Sequence, residues 1–458
     1  MQAWVNIELA GADLGDARRE KRLRRLVEEL SRHPQGTLNQ ACRSAGAKKA
    51  AYRFFSNDDI DPQQVLAPHI KRTWQRMGAH RVVVVVQDTT SLNYVTHGAT
   101  AGLGPLENAG ARGFLLHSAL ATTEEGEPLG LVHQEAWARA EQPAPVGRDE
   151  RPWPDRESYK WQRTVEVVAA GAVEGSEYII IGDRESDVYG LLAAPRPGGI
   201  ELLVRSAQDR RVEGDEGHLY EAALSGPAAG TMVVEVGRGS KRAPRKARCE
   251  VRWRRLTLRP PPRPAPGVAA TPVDVWVVAV VERHPPRGEA PLEWILLATW
   301  PVTTLEQAVR CVRLYSRRWL VERYHFVLKS GCRLEEKQLR ERIRLERVQA
   351  VYAIVAWRLL AITYQARINP KGSCEPTFSG TEWQVLYAYH HKQAYPAGEA
   401  PPTMEQAVQW VAKLGGHWGR RGDGAPGVKV LWQGLTKLHA LVEGFTLSQT
   451  LLQGARSG

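Results

Sequence analysis

The first part of the chain has the pattern of an amphipathic helix. In LGDARREKRLRRLVEELSRHP, apolar residues recur every three or four positions, and Pro34 ends the run. The opposite face of this helix is basic and carries Arg18 and Arg22. The pattern predicts a helical domain over residues 1–75.

Residues 76–204 have a different pattern, in which apolar runs alternate with a helical stripe. RVVVVVQD and EYIIIGD are continuous β-branched runs, as in strands buried on both faces. Two further runs, GFLLHSALATT and GEPLGLVHQEAW, flank a turn at 124–126 and predict a hairpin. A helical stripe from Trp161 to Ala172 precedes the second buried strand. Together these elements predict an α/β layer.

The rest of the chain is first β-rich and then helical. Residues 205–303 contain TMVVEVG, VDVWVVAVVER and EWILLATW around a Pro-rich connection, RPPPRPAPG, and predict a β-rich insertion. Residues 304–370 are helical and return the chain to the core, and residues 371–458 form a last helical domain. The predicted fold class is therefore α/β, a core with a β-rich insertion between helical N- and C-terminal domains.

The composition is that of a folded globular protein, and the charge balance indicates a polyanionic partner. Apolar residues make up 43% and charged residues 24%, which argues against a disordered chain and a membrane bundle. Lys and Arg number 62 against 50 Asp and Glu, so the net charge is +12. Nucleic acid is the first partner that this excess suggests.

Several other classes of protein lack support. The five cysteines are widely spaced and never form Cys-x-x-Cys, which argues against a disulfide framework or a zinc ribbon and fits a reducing cytoplasm. The sequence predicts neither export nor a membrane span. Gly422-x-Gly424-x-x-Gly427 does not follow a strand, and there is no P-loop, so no nucleotide cofactor is expected.

Each of the two predicted buried strands ends in an aspartate, Asp88 in the first and Asp183 in the second. Open α/β sheets place their functional sites at the carboxyl ends of such strands. An acid there takes a metal, pairs with a base or caps the next turn. A turn-forming role would be open for Asp88 if it stood alone, but two such endings in one layer favour a functional site.

Part of the segment YSRRWLVERYHFVLK falls on one face if the segment is a continuous helix. At about 100° per residue, four residues lie within about 60° of one another: Tyr315, Arg318, Glu322 and Lys329. Trp319 is close to this face. The segment can be an amphipathic helix with an exposed Arg318–Glu322 salt bridge worth about 0.3–0.5 kcal/mol. It can also place a carboxylate among cations and aromatic rings, as where metal, phosphate and bases meet.

Three motifs resemble those of the DDE cut-and-paste transposases of the bacterial insertion-sequence-four family: QDTTSL, DRESD and Tyr-x-x-Arg-x-x-x-Glu-x-x-x-x-x-x-Lys. The similarity extends along the chain through AYRFFSN, HSAL, LVHQEAW and KLGGHWGRRGDGAPGVKVLW. The resemblance implies a ribonuclease-H-like catalytic core with the β-rich insertion between the second Asp and the Glu. The spacing agrees, because Asp183 follows Asp88 by 95 positions and Glu322 follows Asp183 by 139.

The resemblance implies that Asp88, Asp183 and Glu322 are the catalytic residues. As hard oxygen ligands they would hold two Mg²⁺ ions, for which Mn²⁺ substitutes, beside a phosphodiester. Glu185 and Asp187, the other acids of DRESD, are then structural.

The resemblance also implies contacts to DNA around this site. Arg318 and Lys329 match family positions that contact phosphate, and Tyr315 belongs to the same signature. Trp294 and Trp319 match aromatic positions around a base flipped out of the DNA end. Without the resemblance, core packing is the better interpretation of a Trp in a β-rich run such as PLEWILL.

Two basic stretches are candidate DNA-binding segments. ARREKRLRRL, with Arg18 and Arg22, lies in the module that reads the transposon end in the family, although a solvated helix face explains it equally well. RGSKRAPRKAR has six cations and no acid, so we expect it to follow a DNA backbone. The residues that we expect to do so are Lys241, Arg242, Arg245 and Lys246.

The C-terminal helices match the dimerisation module of the family. Apolar positions from Leu431 to Val442 form a stripe that suits a homodimer in the DNA complex, and equally an intramolecular core.

The expected function is that of a DNA transposase. It would bind transposon ends in double-stranded DNA, cleave them through a hairpin and join the 3′ ends to target DNA. A metal-dependent nuclease or resolvase on the same fold would use the same acids and stop at cleavage. A catalytically silent DNA-binding regulator is the second alternative, and the complete set of three acids argues against it.

Overall fold

The computed structural model describes residues 3–142, 147, 150–214, 217–237, 244–420 and 423–456. Within these ranges the chain is a mixed α/β protein with one large mixed sheet and helical ends. Lys241 and Arg242, two of the predicted DNA-binding residues, lie outside the described residues. Among the described helices, none combines the length and the apolar character that crossing a membrane requires.

Five helices form the N-terminal part of the described chain: α1 (Ala3–Glu8), α2 (Ala17–Arg32), α3 (Leu38–Ala41), α4 (Ala45–Phe55) and α5 (Pro62–Met77). The predicted basic helix is confirmed as α2. It begins where the Asp16 carboxylate accepts the backbone N–H of Arg18 at 2.7 Å, and it ends two residues before Pro34. Its apolar side chains, from Leu23 to Leu30, are buried.

Ten strands of the described chain form one sheet: β1 (Val82–Asn93), β2 (Gly104–Pro105), β3 (Arg112–Thr122), β4 (Pro128–Trp137), β5 (Glu177–Gly182), β6 (Ile200–Arg205), β7 (Gly230–Val236), β8 (Arg245–Leu258), β9 (Val273–Glu282) and β10 (Glu293–Ala298). Their order is β2-β3-β1-β5-β6-β10-β9-β8-β7, and β4 also pairs with β3. The two predicted buried strands, β1 and β5, are parallel neighbours, and the predicted hairpin is β3–β4.

The β-rich insertion continues the core sheet. β10 pairs antiparallel with β6, placing Leu296 opposite Arg205, and β9, β8 and β7 follow outward. The three β-rich runs of the sequence are confirmed as strands β7, β9 and β10. The structure adds that they share a sheet with β1 and β5, which local pattern does not reveal.

Nine further α-helices follow in the described chain: α6 (Lys160–Gly171), α7 (Tyr189–Ala193), α8 (Leu219–Leu224), α9 (Leu305–Ser316), α10 (Trp319–Phe326), α11 (Arg342–Ile368), α12 (Gly380–His391), α13 (Met404–Leu414) and α14 (Val428–Arg456). α11 is buried around most of its circumference, because it packs against α2, α5, β4, α13 and α14. It therefore joins the two helical ends of the chain to the sheet.

The predicted apolar stripe of α14 lies inside the molecule. Its residues from Leu431 to Leu438 are buried where α14 packs on α13 and α11. The two helices α13 and α14 approach closely at Gly434, where an added Cβ would lie 1.9 Å from the carbonyl oxygen of Val411. For this part of the stripe, the intramolecular core is confirmed.

Candidate active site and nucleic-acid interface

Asp88 and Asp183 lie at the same end of the β1–β5 pair. The parallel pairing runs from Val82 opposite Glu177 to Val86 opposite Ile181, and both aspartates follow just beyond it. The prediction that the first strand ends at Asp88 is wrong, because β1 continues to Asn93 along its antiparallel partner β3. The two carboxylates nevertheless meet at one edge of the parallel pair, as the strand pattern predicted.

Asp88 is a mostly buried carboxylate with excess negative charge around it. Its side chain is 16% exposed and accepts the backbone N–H of Thr89 at 2.7 Å. Burial raises the pKa of Asp88 to about 7, and the negative charges of Asp183 and, less strongly, Glu322 raise it too. The Thr89 hydrogen bond and the Arg318 charge act in the opposite direction. All three acids therefore share one electrostatic environment.

Asp183 also caps the turn that follows β5. Its carboxylate accepts the backbone N–H of Glu185 at 2.9 Å, at the start of a 3₁₀ turn over Arg184–Ser186. The turn-forming role and the position beside Asp88 thus coexist. Asp187 is buried and accepts a charged hydrogen bond from Arg210 at 2.7 Å, which fits the expected structural role.

Glu322 is linked to Asp88 through Arg318. An Arg318 Nη1 atom lies 2.5 Å from Glu322 Oε1 and 3.8 Å from Asp88 Oδ2. The arginine is 11% exposed, so this pair is more buried than the surface salt bridge that periodicity allowed. Nε of Arg318 is buried and lacks a hydrogen-bond partner within the described chain. In those same ranges, no group of three or more His, Cys, Asp or Glu side chains is ready to hold a metal ion.

The prediction that one helix carries the signature from Tyr315 to Lys329 is wrong. α9 ends at Ser316, α10 begins at Trp319, and Val327–Gly331 form a π-helical turn. The break is a tight turn in which the N–H of Arg318 bonds to the carbonyl of Tyr315 at 3.0 Å.

Lys329 and Tyr315, the other two residues of the signature, make different contacts. The Lys329 ammonium, on the π-helical turn, donates to the carbonyl of Ser91 at 2.8 Å and lies 3.4 Å from Glu335. Tyr315 is buried, with its ring 5.0 Å from that of Trp294 in an edge-to-face contact.

A cavity of about 500 Å³ opens beside Arg318 and includes both predicted aromatic residues. We call it the tryptophan cavity, and it is lined in part by Arg184, Arg205, Trp294, Arg318 and Trp319. Trp294 is 9% exposed and Trp319 is 44% exposed. Trp294 therefore combines core packing with a face on the cavity, and Trp319 is open to solvent.

The predicted basic residues differ in solvent exposure and in their contacts within the protein. Arg18 and Lys246 are exposed. Arg22 faces the protein, since its side chain is 13% exposed and donates to the carbonyl of Ala47 at 2.6 Å. Arg245 is held between Glu282, at 2.8 Å, and Glu289, at 2.6 Å. For Arg22 and Arg245, binding to DNA would require these internal contacts to break.

Sequence reasoning missed a basic face on α4. Lys48, Lys49 and Arg53 are exposed there and line a shallow cavity with Ala45 and Tyr52. The signal was present in AGAKKAAYRFF, because positions 45, 48, 49, 52 and 53 have the three- and four-residue spacing of one helix face.

Sequence reasoning also missed a buried polar network beneath Asp88. Ser118, opposite Asp88 in the β1–β3 pairing, accepts the side-chain N–H of Gln134 at 2.8 Å and lies 3.1 Å from His325 Nε2. His325 follows Glu322 by one helical turn on α10. The network thus joins β3, the strand paired with that of Asp88, to the helix of Glu322. Its signal lay in HSAL and LVHQEAW, the segments that contain Ser118 and Gln134.

The two ends of the chain match models of known families. Residues 1–60 match the model described as transposase DNA-binding. Residues 354–453 match the transposase Tn5 dimerisation domain. The two matches lie on the helical ends and do not include QDTTSL, DRESD or the Tyr-Arg-Glu-Lys signature. They support a Tn5-like transposase, and the resemblance drawn from the sequence is confirmed.

Proposed function

We propose that the chain binds transposon ends, cleaves them by metal-dependent hydrolysis and hairpin formation, and joins the freed 3′ ends to target DNA. The observation that carries this proposal is that acids from three distant motifs come together: Arg318 lies between Asp88 and Glu322, and the charge of Asp183 acts on Asp88. The strand order β4-β3-β1-β5-β6, with β1 antiparallel to β3 and parallel to β5, supports the ribonuclease-H-like core that the resemblance implies.

The acids suit Mg²⁺ by their chemistry. Carboxylate oxygens are the hard ligands that this ion prefers, and Mn²⁺ accepts the same ligands. Burial contributes most to the raised pKa of Asp88, and the charges of Asp183 and Glu322 raise it further, so a bound cation would favour the ionised carboxylate. Asp88, Asp183 and Glu322 would hold two ions, provided that Arg318 releases Glu322. When bound, such ions supply Lewis acidity to the phosphodiester.

Arg318 is suited to exchange a carboxylate for a phosphate. Its guanidinium has five donors, and Nε has no partner among the described residues. If Glu322 turns to a divalent ion, the Arg318 guanidinium is free to form a bidentate pair with a DNA phosphate. Trp319, with its ring centroid 5.3 Å from the Arg318 guanidinium, is placed to stack on an unpaired base in the tryptophan cavity.

The two matched ends supply DNA binding and dimer formation. Within the first, the exposed cations of α4 are the best candidates for phosphate contacts. Within the second, α14 carries exposed apolar side chains beyond the buried stripe: Phe445, Leu447, Leu451 and Leu452. We propose that they pack against a second copy of the chain.

A strand-joining assay tests the function directly. The end sequence is first selected from a pool of random duplexes, and pre-cut end duplexes with free 3′-hydroxyls are then incubated with the protein, Mg²⁺ and a target plasmid. End duplexes joined to the plasmid are the expected product. Cleavage of uncut ends without joining would favour the nuclease or resolvase, and binding with neither reaction would favour the silent regulator.

We expect Lys49→Glu on α4 to weaken end binding. One phosphate contact contributes about 0.9 to the slope of log K against log salt, so its loss costs about eightfold in affinity at 0.1 M salt. Because the new glutamate also repels phosphate, eightfold is a lower bound on the loss of affinity. Fluorescence anisotropy with the end duplex measures the change. Lys371→Glu, another exposed lysine outside residues 1–60, is the control, and equal losses in both variants would argue against the α4 face.

We expect Ser118→Ala to slow cleavage without weakening end binding. The change leaves the buried Gln134 amide short of an acceptor, which costs about 1–3 kcal/mol of folding free energy, and it loosens α10 against β3. At saturating end DNA we expect the single-turnover rate to fall about tenfold, which corresponds to about 1.4 kcal/mol. Ser176→Ala, at the opposite end of β5, is the matched control. An unchanged cleavage rate would show that the network does not position Glu322.

A further inference from the structure

A second cavity, of about 670 Å³, adjoins the turn after Asp183. We call it the arginine cavity, because its lining includes five arginines: Arg151, Arg156, Arg184, Arg210 and Arg263. Arg184 lines both this cavity and the tryptophan cavity, so it stands between them, directly after Asp183 in the chain. The two cavities therefore both adjoin the residue that follows Asp183.

The acids of the arginine cavity are already neutralised. Asp187 pairs with Arg210 at 2.7 Å. Two more acids pair with cations that do not line the cavity, Glu157 with Arg139 at 2.7 Å and Glu185 with Lys160 at 3.8 Å. Arg184 and Arg263 are exposed, and no ion pair is found for either within the part of the chain that the structure describes. The cavity thus keeps a positive charge that the protein itself does not cancel.

Arg263 reaches the cavity on the Pro-rich segment RPPPRPAPG. The segment is fastened to the core, since the N–H of Trp153 donates to the carbonyl of Pro266 at 3.0 Å and the Tyr189 hydroxyl donates to that of Thr271. Val268 packs so closely that a Cβ on Gly190 would lie 3.0 Å from it. These contacts and the proline-restricted dihedrals hold the backbone at Arg263 in place, which lowers the backbone entropy cost of binding.

We propose that the arginine cavity binds backbone phosphates of a second DNA duplex, the target of strand joining. This rests on the proposed function, because joining needs two DNA molecules at the same acids. The tryptophan cavity has the aromatic rings that an unpaired end needs. Trp153 and Tyr189 also line the arginine cavity, but both are buried. The cavity therefore offers mainly charge, and phosphate contacts without base reading suit a target of arbitrary sequence.

Arg263→Ala tests this site, because Arg263 lines only the arginine cavity of the two. The full chain is first saturated with pre-cut end duplex, and binding of a labelled duplex of unrelated sequence is then titrated at several salt concentrations. We expect the affinity for the second duplex to fall about eightfold at 0.1 M salt, and the salt slope to become less negative by about 0.9. Affinity for the end duplex should stay within twofold.

Arg81→Ala is the matched control, since this exposed arginine precedes β1 at the end of the strand away from the acids. Unchanged binding of the second duplex to Arg263→Ala would overturn the inference, as would failure of the unaltered chain to bind that duplex. Weakened end binding would overturn it too, by assigning the cavity to the transposon end. If the unaltered chain binds both duplexes and joins neither, the proposed strand joining fails while the cavity assignment stands.

Discussion

Asp88→Asn is expected to abolish Mg²⁺-dependent cleavage of transposon ends and, at the same time, to stabilise the metal-free protein at pH 8. Loss of a metal ligand removes several kcal/mol of charge stabilisation in the transition state, so cleavage should fall by at least about 10³-fold. The gain in stability has a separate origin. Burial and the neighbouring acids raise the pKa of Asp88 to about 7, so the ionised carboxylate is disfavoured in the folded state.

The pH dependence of the unfolding free energy shows why Asp88→Asn should be the more stable protein at pH 8. The folded protein holds the Asp88 proton more tightly than the unfolded chain, whose carboxyl has its ordinary pKa of 3.8. The unaltered protein therefore loses stability as the pH rises from about 4 to about 7, and asparagine, which does not ionise, avoids that loss. The advantage of Asp88→Asn should be full at pH 8 and small at pH 4. Urea unfolding at both pH values, in EDTA, measures it.

Two further comparisons make the Asp88 result specific. Mg²⁺ should stabilise the unaltered protein at pH 8 and Asp88→Asn much less, because ligand binding to the folded state raises its stability by mass action. Asp155→Asn changes an exposed aspartate and should alter neither cleavage nor stability. Destabilisation of Asp88→Asn at pH 8, or cleavage at the unaltered rate, would contradict the assignment of Asp88.

The candidate acids could be predicted from sequence because they depend on local pattern. Continuous β-branched runs mark the parallel neighbours β1 and β5, and residues that end such strands meet at one sheet edge. Glu322 was a different case. Helical periodicity placed it on one face with Arg318, and the i,i+4 pair does form. The break before α10 and the π-helical turn after it depend on packing that periodicity does not contain.

The basic residues show where local pattern fails. Arg22 and Arg18 looked alike in a basic helix, but the partner that turns Arg22 inward, the carbonyl of Ala47, lies 25 positions away on α4. Arg245 looked free in a run without acids. In the fold it pairs with Glu282 on β9, the strand next to its own strand β8. A charge run in sequence counts cations, whereas a binding surface depends on which of them lack partners in the fold.

The largest effect on stability is expected from Glu8→Ala, which should lower the free energy of unfolding by about 3–5 kcal/mol. Glu8 is buried, with one oxygen 2.5 Å from His69 Nδ1 and the other 2.9 Å from Arg76. The N–H of Leu131 on β4 donates to His69 Nε2 at 3.0 Å, so the His69 proton is on Nδ1, directed at Glu8. Without Glu8, Arg76 and His69 lose their acceptor beside the core sheet.

The pH dependence of this second effect runs opposite to that of Asp88. Burial opposes ionisation of Glu8, but the hydrogen bond to His69 and the charge of Arg76 outweigh it and lower the pKa of Glu8 to about 2. The stabilisation is therefore complete above the ordinary pKa of 4.5 and is lost as the pH falls toward 2. Urea unfolding at pH 7 and pH 3 should show a smaller deficit for Glu8→Ala at pH 3, with the exposed Glu174→Ala unaffected at both. Because Glu8 belongs to the matched DNA-binding region and Leu131 to the sheet, a deficit that did not vary with pH would mean that packing alone, and not this ion pair, joins the two.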